Sequence, residues 1–189
     1  MAHPQILFLL GVFRVVDWIT RISLTRYAQA PQGGRGVCAV SAILTQTGEV
    51  LLVRRSNRLG DPWSGNWALP GGFWKDLDKN ILDTALREVW EEVGIESGLL
   101  RLLGWLKPRS PRNRPELSVH PLVFLLDGKP VIRLSDELED YRWSPLFGLE
   151  RVRRVVETPR GALNVDAYIW GDVVVWGLTY SILRDLRGE

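Results

Sequence analysis

The sequence feature that most constrains the possible folds of this chain is a glycine pair followed by an acidic segment with helical spacing. Residues 69–95 read LPGGFWKDLDKNILDTALREVWEEVGI, and a helical pattern runs from about residue 79 to residue 93, where Gly94 ends it. Asp78 stands where the N-cap of this helix is expected. Apolar residues recur at spacings of four, three and four, which predicts one apolar stripe facing a core. The stripe consists of Leu82, Leu86, Val89 and Val93.

Three glutamates share a different edge of the same predicted helix. Glu88, Glu91 and Glu92 stand at positions i, i+3 and i+4, so at about 100° per residue they occupy one arc. Like charges at this spacing destabilise a helix by about 0.2–0.5 kcal/mol per pair, and the helix dipole disfavours them near the carboxyl end. A hard divalent cation such as Mg²⁺ or Mn²⁺ would relieve the repulsion. The pattern therefore indicates either a metal-binding site or a solvent-exposed acidic face.

The remaining sequence favours an α/β fold of the α+β sandwich type, with a mixed sheet between helices. Runs rich in β-branched residues at 37–44 and 49–55 flank a turn, which predicts a hairpin. Further strands are predicted at 99–106, 117–128, 129–134 and 141–146, and further helices at 146–157 and from about residue 172. These elements lack the strict strand–helix alternation of a doubly wound sheet.

The N-terminal segment begins apolar and becomes amphipathic. Residues 6–13 carry no charge, but this run is far shorter than the roughly 20 residues of a spanning helix. Arg14, Asp17 and Arg21 interrupt the apolar residues after it, so an amphipathic helix is predicted over residues 5–28. It can pack on the domain, on a second subunit in a homodimer, or on a membrane surface. A glycine-rich linker then divides an N-terminal arm, residues 1–35, from a domain at 36–189.

Charge and cysteine content exclude several classes of protein. The formal net charge of +2 is too small to indicate nucleic-acid binding. Cys38 is the single cysteine, so no internal disulfide forms and we expect a cytoplasmic protein. His3 and His120 are the only histidines, which excludes a zinc site built from cysteine and histidine ligands.

The segment around the glutamates resembles the Nudix box. That motif is a glycine, five residues, a glutamate, seven residues, and then Arg-Glu-apolar-any-Glu-Glu-any-Gly-apolar. Here five residues separate Gly72 from Asp78, eight more lead to Arg87, and residues 87–95 match every specified position of the second half. The aspartate and the added residue resemble the coenzyme A diphosphatase branch of the family. An upstream motif of that branch has an arginine where Asp61 stands here.

The resemblance implies a metal site on the predicted helix. Glu88 and Glu92 would be the main ligands of Mg²⁺ or Mn²⁺, and the Gly71 carbonyl would join them. Glu91 would be a further ligand or a base. Arg87 would pair with a carboxylate of the box and hold it in place.

The resemblance also implies residues at the substrate. Arg55 would contact a phosphate, because a guanidinium suits bidentate contacts with phosphate oxygens, and Gly72 would let the backbone approach the substrate closely. Strand alternation sends Arg54 and Arg55 to opposite faces, so at most one of them serves this role. Glu116 and Glu137 are candidates for a remote general base.

The implied function is metal-dependent hydrolysis of a diphosphate bond in a small nucleotide substrate. That substrate would be a coenzyme A-like molecule, ADP-ribose or a dinucleotide, and no nucleic-acid partner is expected. Two alternatives stay open. One is a house-cleaning pyrophosphohydrolase of nucleoside triphosphates, and the other is a Nudix-fold module that binds a nucleotide without catalysis.

Overall fold

The strands of this domain form a larger and a smaller β-sheet. The computed structural model describes residues 19–20, 22, 24–25, 29–158 and 161–189. The elements follow in the order β1 (Val37–Leu44), β2 (Glu49–Arg55), β3 (Trp67–Ala68), β4 (Gly71–Phe73), α1 (Ile81–Val93), β5 (Leu100–Trp105), β6 (Ser118–Leu126), β7 (Leu138–Pro145), β8 (Glu150–Thr158), β9 (Gly161–Trp170), β10 (Val173–Trp176) and α2 (Gly177–Leu186). The predicted hairpin and the predicted strands that correspond to β5, β6 and β7 are confirmed.

The larger sheet is mixed, as the sequence predicts. Its strands follow the order β3-β2-β1-β6-β5, with β4 joined to β1 and β7 joined to β2. The β1–β6 pair is parallel, while the other pairs are antiparallel. One edge of β1 is shared, because Cys38 pairs with Phe73 of β4 and Leu44 pairs with Val50 of β2. As a result, β4 lies beside the first half of β1, and in sequence β4 is the last strand before α1.

Side chains of the central strands alternate between two cores, one on each face of the larger sheet. Leu44 and Leu52 belong to the core that includes α2, while Ile43 and Leu51 belong to the core that includes α1. All four are fully buried, and each contributes about 1.5–3 kcal/mol by removal from water. The α+β sandwich with a mixed sheet between helices is therefore confirmed.

A smaller sheet replaces the predicted second helix. The sequence predicts a helix at 146–157, but most of these residues form β8, which pairs with β9 from Glu150↔Ile169 to Thr158↔Gly161. The helix prediction is wrong because β-branched valines at 152, 155 and 156 favour a strand, and β9 supplies the partner that short-range patterns do not reveal. The sheet has the order β10-β9-β8.

Two further element predictions are also corrected. Residues 129–134 form no strand, because their backbone bonds to the end of α1 instead: Arg133 N donates to Val93 O at 3.0 Å. Carbonyls at a helix end lack partners within the helix and accept such bonds. The C-terminal helix begins at Gly177 rather than near residue 172, because residues 173–176 pair with β9.

The predicted N-terminal helix, residues 5–28, lies largely outside the described residues. Of those that are described, Thr25 exchanges two backbone hydrogen bonds with Trp105 of β5, at 2.8 and 2.9 Å. Ile19, Ile22 and Leu24 pack against the core that includes α2. Among the helices in the described ranges, none has the length and apolar character needed to cross a membrane.

Candidate active site

The ends of α1 are fixed by side-chain and backbone caps. The Asn80 side-chain oxygen accepts hydrogen bonds from Leu82 N at 2.9 Å and Asp83 N at 3.1 Å, so Asn80 is the N-cap. The expectation that Asp78 caps the helix is wrong, because its carboxylate is used elsewhere. At the other end Gly94 adopts φ 69° and donates to Trp90 O at 3.1 Å, a conformation that glycine tolerates best.

The helix turns two of its three glutamates toward the sheet. Glu88 is 9% exposed and Glu92 is 6% exposed, whereas Glu91 lies in solvent. The buried face includes Ile81, Ala85, Val89 and Val93. The sequence predicts the acids on a face apart from the apolar stripe, and this is wrong for two of them, because Glu88 and Glu92 lie within the buried face. Leu82 and Leu86 of the predicted stripe are only partly buried.

Two glycines in β4 create the space for these carboxylates. A Cβ atom on Gly72 would lie 2.6 Å from the Glu88 carboxyl carbon, and one on Gly71 would lie 2.1 Å from the Ala39 carbonyl oxygen. Both distances are far inside van der Waals contact, so neither position accepts a side chain. The Gly71 N–H also donates to Glu92 Oε2 at 2.8 Å. The close approach of β4 to α1 therefore depends on the glycine pair.

The Gly71 N–H points at the glutamates rather than at β1, since it donates to Glu92 Oε2. Pro70 O accepts from Ser41 N and Trp74 N donates to Val37 O, so alternate residues of this segment turn toward β1. The backbone of β4 therefore contacts both β1 and the helix.

Arg87 joins the acidic groups into one network. Its Nε and Nη2 donate to the two oxygens of Asp78 at 2.9 and 2.8 Å. Its Nη1 donates to Glu88 Oε1 at 2.6 Å and to Glu91 Oε2 at 3.0 Å, and Nη2 also reaches the Phe73 carbonyl at 2.9 Å. The fork geometry of a guanidinium allows this many directed bonds. Arg87 therefore fixes the position of Glu88 relative to β4.

Asp78 anchors this network from a buried position. Besides Arg87, its Oδ2 accepts from the Lys75 N–H at 2.9 Å and from the Thr84 hydroxyl at 3.0 Å. The hydrogen bonds from Arg87 lower the pKa of Asp78 to about 2, against the opposing effect of burial. Sequence reasoning missed Thr84 and the ion pair of Lys75 with Glu91 at 3.0 Å. The one available signal was the position of Thr84 in the first turns of the helix, shortly after Asp78.

The three glutamates differ in how readily they ionise. Burial raises the pKa of Glu88, and burial together with the charge of Glu88 raises the pKa of Glu92 to about 8. Glu91 is weakly desolvated, and the hydrogen bond from Lys75 lowers its pKa. A nearby cation would favour the ionised form of both carboxyl groups, because an opposite charge offsets the effect of burial.

The donor chemistry at this position fits a hard divalent cation. Glu88, Glu92 and the Gly71 carbonyl offer oxygen atoms, and Mg²⁺ is commonly held by one or two carboxylates plus water and substrate phosphate oxygens. Within the described ranges, no three His, Cys, Asp or Glu side chains converge tightly enough to hold an ion by themselves. Arg87 Nη1 bridges Glu88 and Glu91 by donating to both. The protein thus presents a two-carboxylate arrangement rather than a closed cage.

Arg55 lies close enough to this site to act on it electrostatically. Its charge lowers the pKa of Glu92, opposing the larger effect of burial, and the charge of Glu137 raises it. Arg55 Nε and Nη2 donate to Asp61 Oδ2 at 3.1 and 2.9 Å. Arg54 instead pairs with Glu139 at 2.9 Å. The charges of Arg55 and Glu137 therefore act on the pKa of Glu92 in opposite directions.

Glu116 and Cys38 have different surroundings. Glu116 is exposed and pairs with Arg114. Cys38 is buried, and burial together with the charge of Glu88 raises the pKa of its thiol to about 11, so the thiol stays protonated. Of the two candidate bases, Glu137 is the one whose charge raises the pKa of Glu92.

Comparison with known proteins identifies the family. A family model described as the NUDIX domain matches residues 35–160. The uncharacterized Nudix hydrolase NudL of Pectobacterium atrosepticum is 31% identical over 182 residues, which cover 92% of this chain and 93% of that protein. An uncharacterized protein of Schizosaccharomyces pombe is 38% identical over 113 residues, 56% of this chain but only 34% of that protein.

A solved structure shows the same fold. The MutT/nudix family protein of Enterococcus faecalis superposes with a TM-score of 0.53 at 20% identity, and the match covers 89% of this chain and 65% of that chain. The family model covers more than half of the chain, and the NudL relative covers nearly all of it. The chain therefore belongs to the Nudix hydrolase family.

Proposed function

We propose that this protein cleaves the diphosphate bond of a nucleoside diphosphate derivative in a reaction that needs a divalent metal ion. The substrate is a small nucleotide of the coenzyme A-like, ADP-ribose or dinucleotide type, and water attacks phosphorus. The observation that carries the proposal is the pair of buried carboxylates, Glu88 and Glu92, set against the glycines of β4. Burying two adjacent carboxylates is costly. Arg87 pairs with Glu88, whereas Glu92 accepts a hydrogen bond from the Gly71 N–H, so a bound divalent cation would stabilise this pair further.

Mg²⁺ or Mn²⁺ is the proposed cofactor. Nudix hydrolases generally use divalent metal ions. Glu88 and Glu92 would hold the ion, with the Gly71 carbonyl and Glu91 as further ligands. When bound, such an ion neutralises phosphate oxygens and makes a water molecule more acidic.

Arg87 acts as a positioning residue in this proposal. It touches Glu88 and Glu91 directly and is itself oriented by Asp78. Residues that orient metal ligands in this way commonly change activity when replaced. Glu91 and Glu137 are the acids proposed to accept a proton from water, and Glu116 is a weaker candidate because it is the charge of Glu137 that raises the pKa of Glu92.

Arg55 is the proposed phosphate contact. It is the last residue of β2, its charge lowers the pKa of Glu92, and it is oriented by Asp61. A guanidinium held at one side by a carboxylate can still direct its remaining N–H groups to a phosphate oxygen. Gly72 contributes by the absence of a side chain next to Glu88, which leaves the substrate phosphates access to the carboxylate.

A substrate panel tests the proposal. Coenzyme A, ADP-ribose, a dinucleoside polyphosphate and nucleoside triphosphates are incubated with the purified protein and Mg²⁺, and the products are identified by mass spectrometry. We expect cleavage inside a diphosphate linkage, with 3′-phospho-AMP from coenzyme A or AMP from ADP-ribose. Pyrophosphate release from a triphosphate as the fastest reaction would instead support the house-cleaning alternative. Tight binding without turnover of any substrate would support a non-catalytic module.

A further inference from the structure

The outer edge of β8 is a surface that the proposed chemistry leaves unexplained. In the described ranges 29–158 and 161–189, β9 pairs with one edge of β8 and no strand pairs with the other. The side chains of Arg151, Arg153, Val155 and Glu157 alternate onto one face and all are exposed. Val155 has 57% of its surface in water. A long strand with an unpaired edge is a template for pairing with another strand.

We propose that β8 pairs antiparallel with β8 of a second copy of this chain, which joins the two smaller sheets into one six-stranded sheet across a dimer. Such a contact is isologous, because the same strand contributes from both copies. The two-fold axis must stand perpendicular to the sheet for two equivalent strands to run antiparallel. Two residues that pair directly across the contact have their side chains on the same face of the sheet. The two-fold axis therefore passes between two copies of the same residue, one from each chain.

The charges on β8 favour the register centred on Val155, because it pairs opposite charges without opposing like ones. With the axis at Val155, Arg153 of each copy lies opposite Glu157 of the other, and no like charges are opposed between residues 152 and 158. With the axis at Arg154, the two copies of that arginine face each other. With the axis at Arg153, the two copies of Arg153 face each other. Directly opposed unlike charges stabilise antiparallel pairs, and like charges destabilise them.

The Val155 register also pairs apolar groups at its centre. The two copies of Val155 meet on the exposed face, and Val152 lies opposite Thr158 on the other face. Pairing would remove an exposed valine from water, which favours association. The contact lies away from the glutamates of α1, so it does not depend on the proposed function.

The test changes the sign of one charge in the predicted register. In Glu157→Arg each new arginine would oppose Arg153 of the other copy, while within its own hairpin it lies opposite Ala162. We expect the wild-type protein to sediment as a dimer in analytical ultracentrifugation, and the variant to dissociate with a Kd at least about tenfold higher. Glu96→Arg makes the same change of charge at an exposed position outside β8 and should leave the dimer intact.

A second variant tests the register itself. Arg153→Glu should also dissociate, and an equimolar mixture of Arg153→Glu with Glu157→Arg should form a heterodimer, because both opposed pairs regain unlike charges. Arg153 lies opposite Asp166 in its own chain, so Arg153→Glu places two negative charges side by side, and circular dichroism checks that this variant still folds. If Arg153→Glu misfolds, the result with Glu157→Arg alone decides whether the proposed dimer forms. A monomeric wild-type protein, a Glu157→Arg dimer as stable as wild type, or a mixture of folded variants without heterodimer would overturn the proposal.

Discussion

Glu88→Gln should lower kcat by about a thousandfold or more, because a bound metal supplies several kcal/mol of charge stabilisation and each 1.36 kcal/mol corresponds to about tenfold in rate. The amide keeps the size of the side chain and can still accept the hydrogen bond from Arg87. Stability should therefore change by no more than about 1 kcal/mol. The measurement is steady-state turnover of the best panel substrate together with urea unfolding.

Glu96→Gln provides the matched control for this variant. Glu96 follows the same helix but is exposed, so its replacement removes one negative charge without touching the buried pair. We expect turnover close to that of the wild type. Equal losses in both variants would point to a general effect of charge, and full activity in Glu88→Gln would remove Glu88 from the catalytic machinery.

Arg87→Gln should be the most destabilising single change at the site, costing about 3 kcal/mol or more of unfolding free energy, because it leaves buried carboxylates without their cation. Asp78→Asn should cost about 2 kcal/mol at pH 7, since a pKa near 2 in place of 3.8 corresponds to about 1.36 kcal/mol per unit. The double variant should lose at least about 1 kcal/mol less than the sum, because the two residues form one network. Urea unfolding of the four proteins gives these values, and strict additivity would show that the pair is not coupled.

The lowered pKa of Asp78 also predicts how the free energy of unfolding depends on pH. Its folded-state pKa is lowered, so its contribution to stability is fully present above 3.8 and is lost as pH falls through about 2. The stability gap between wild type and Asp78→Asn should therefore shrink from about pH 4 to about pH 2. Asp76→Asn removes an exposed carboxylate from the same turn and should show no such gap. A gap that stays constant in this range would contradict the assignment.

Much of the site was predictable because its constraints lie close together in sequence. The glycines at 71 and 72, the glutamates and Arg87 all belong to one segment of strand, turn and helix. Helical spacing predicts that Glu88 and Glu92 share an edge, and the resemblance to the Nudix box implies the roles proposed for them. Spacing alone does not show that this edge of the helix is buried. Its burial depends on the contact between β4 and α1, and that contact is possible because Gly71 and Gly72 have no side chains.

The errors arose where long-range pairing determines local structure. The sequence around β8 carries charges at helical spacing, but β9 gives every residue of that segment an antiparallel partner. Residues 129–134 look like a strand, yet their hydrogen bonds go to the end of α1. Asp78 resembles an N-cap by position, but Arg87, nine residues later, binds both oxygens of its carboxylate. In each case the deciding partner lies outside the window in which propensities act.

Removal and return of the metal ion tests the central claim most directly. The wild-type protein is treated with a chelator, freed of it by gel filtration, and assayed with its best diphosphate substrate before and after addition of Mg²⁺ or Mn²⁺. We predict that turnover falls to the level of the uncatalysed reaction and returns with the metal, and that Glu88→Gln shows no such recovery. Undiminished turnover by the metal-free protein would contradict the claim that buried glutamates at this site serve a metal-dependent hydrolase.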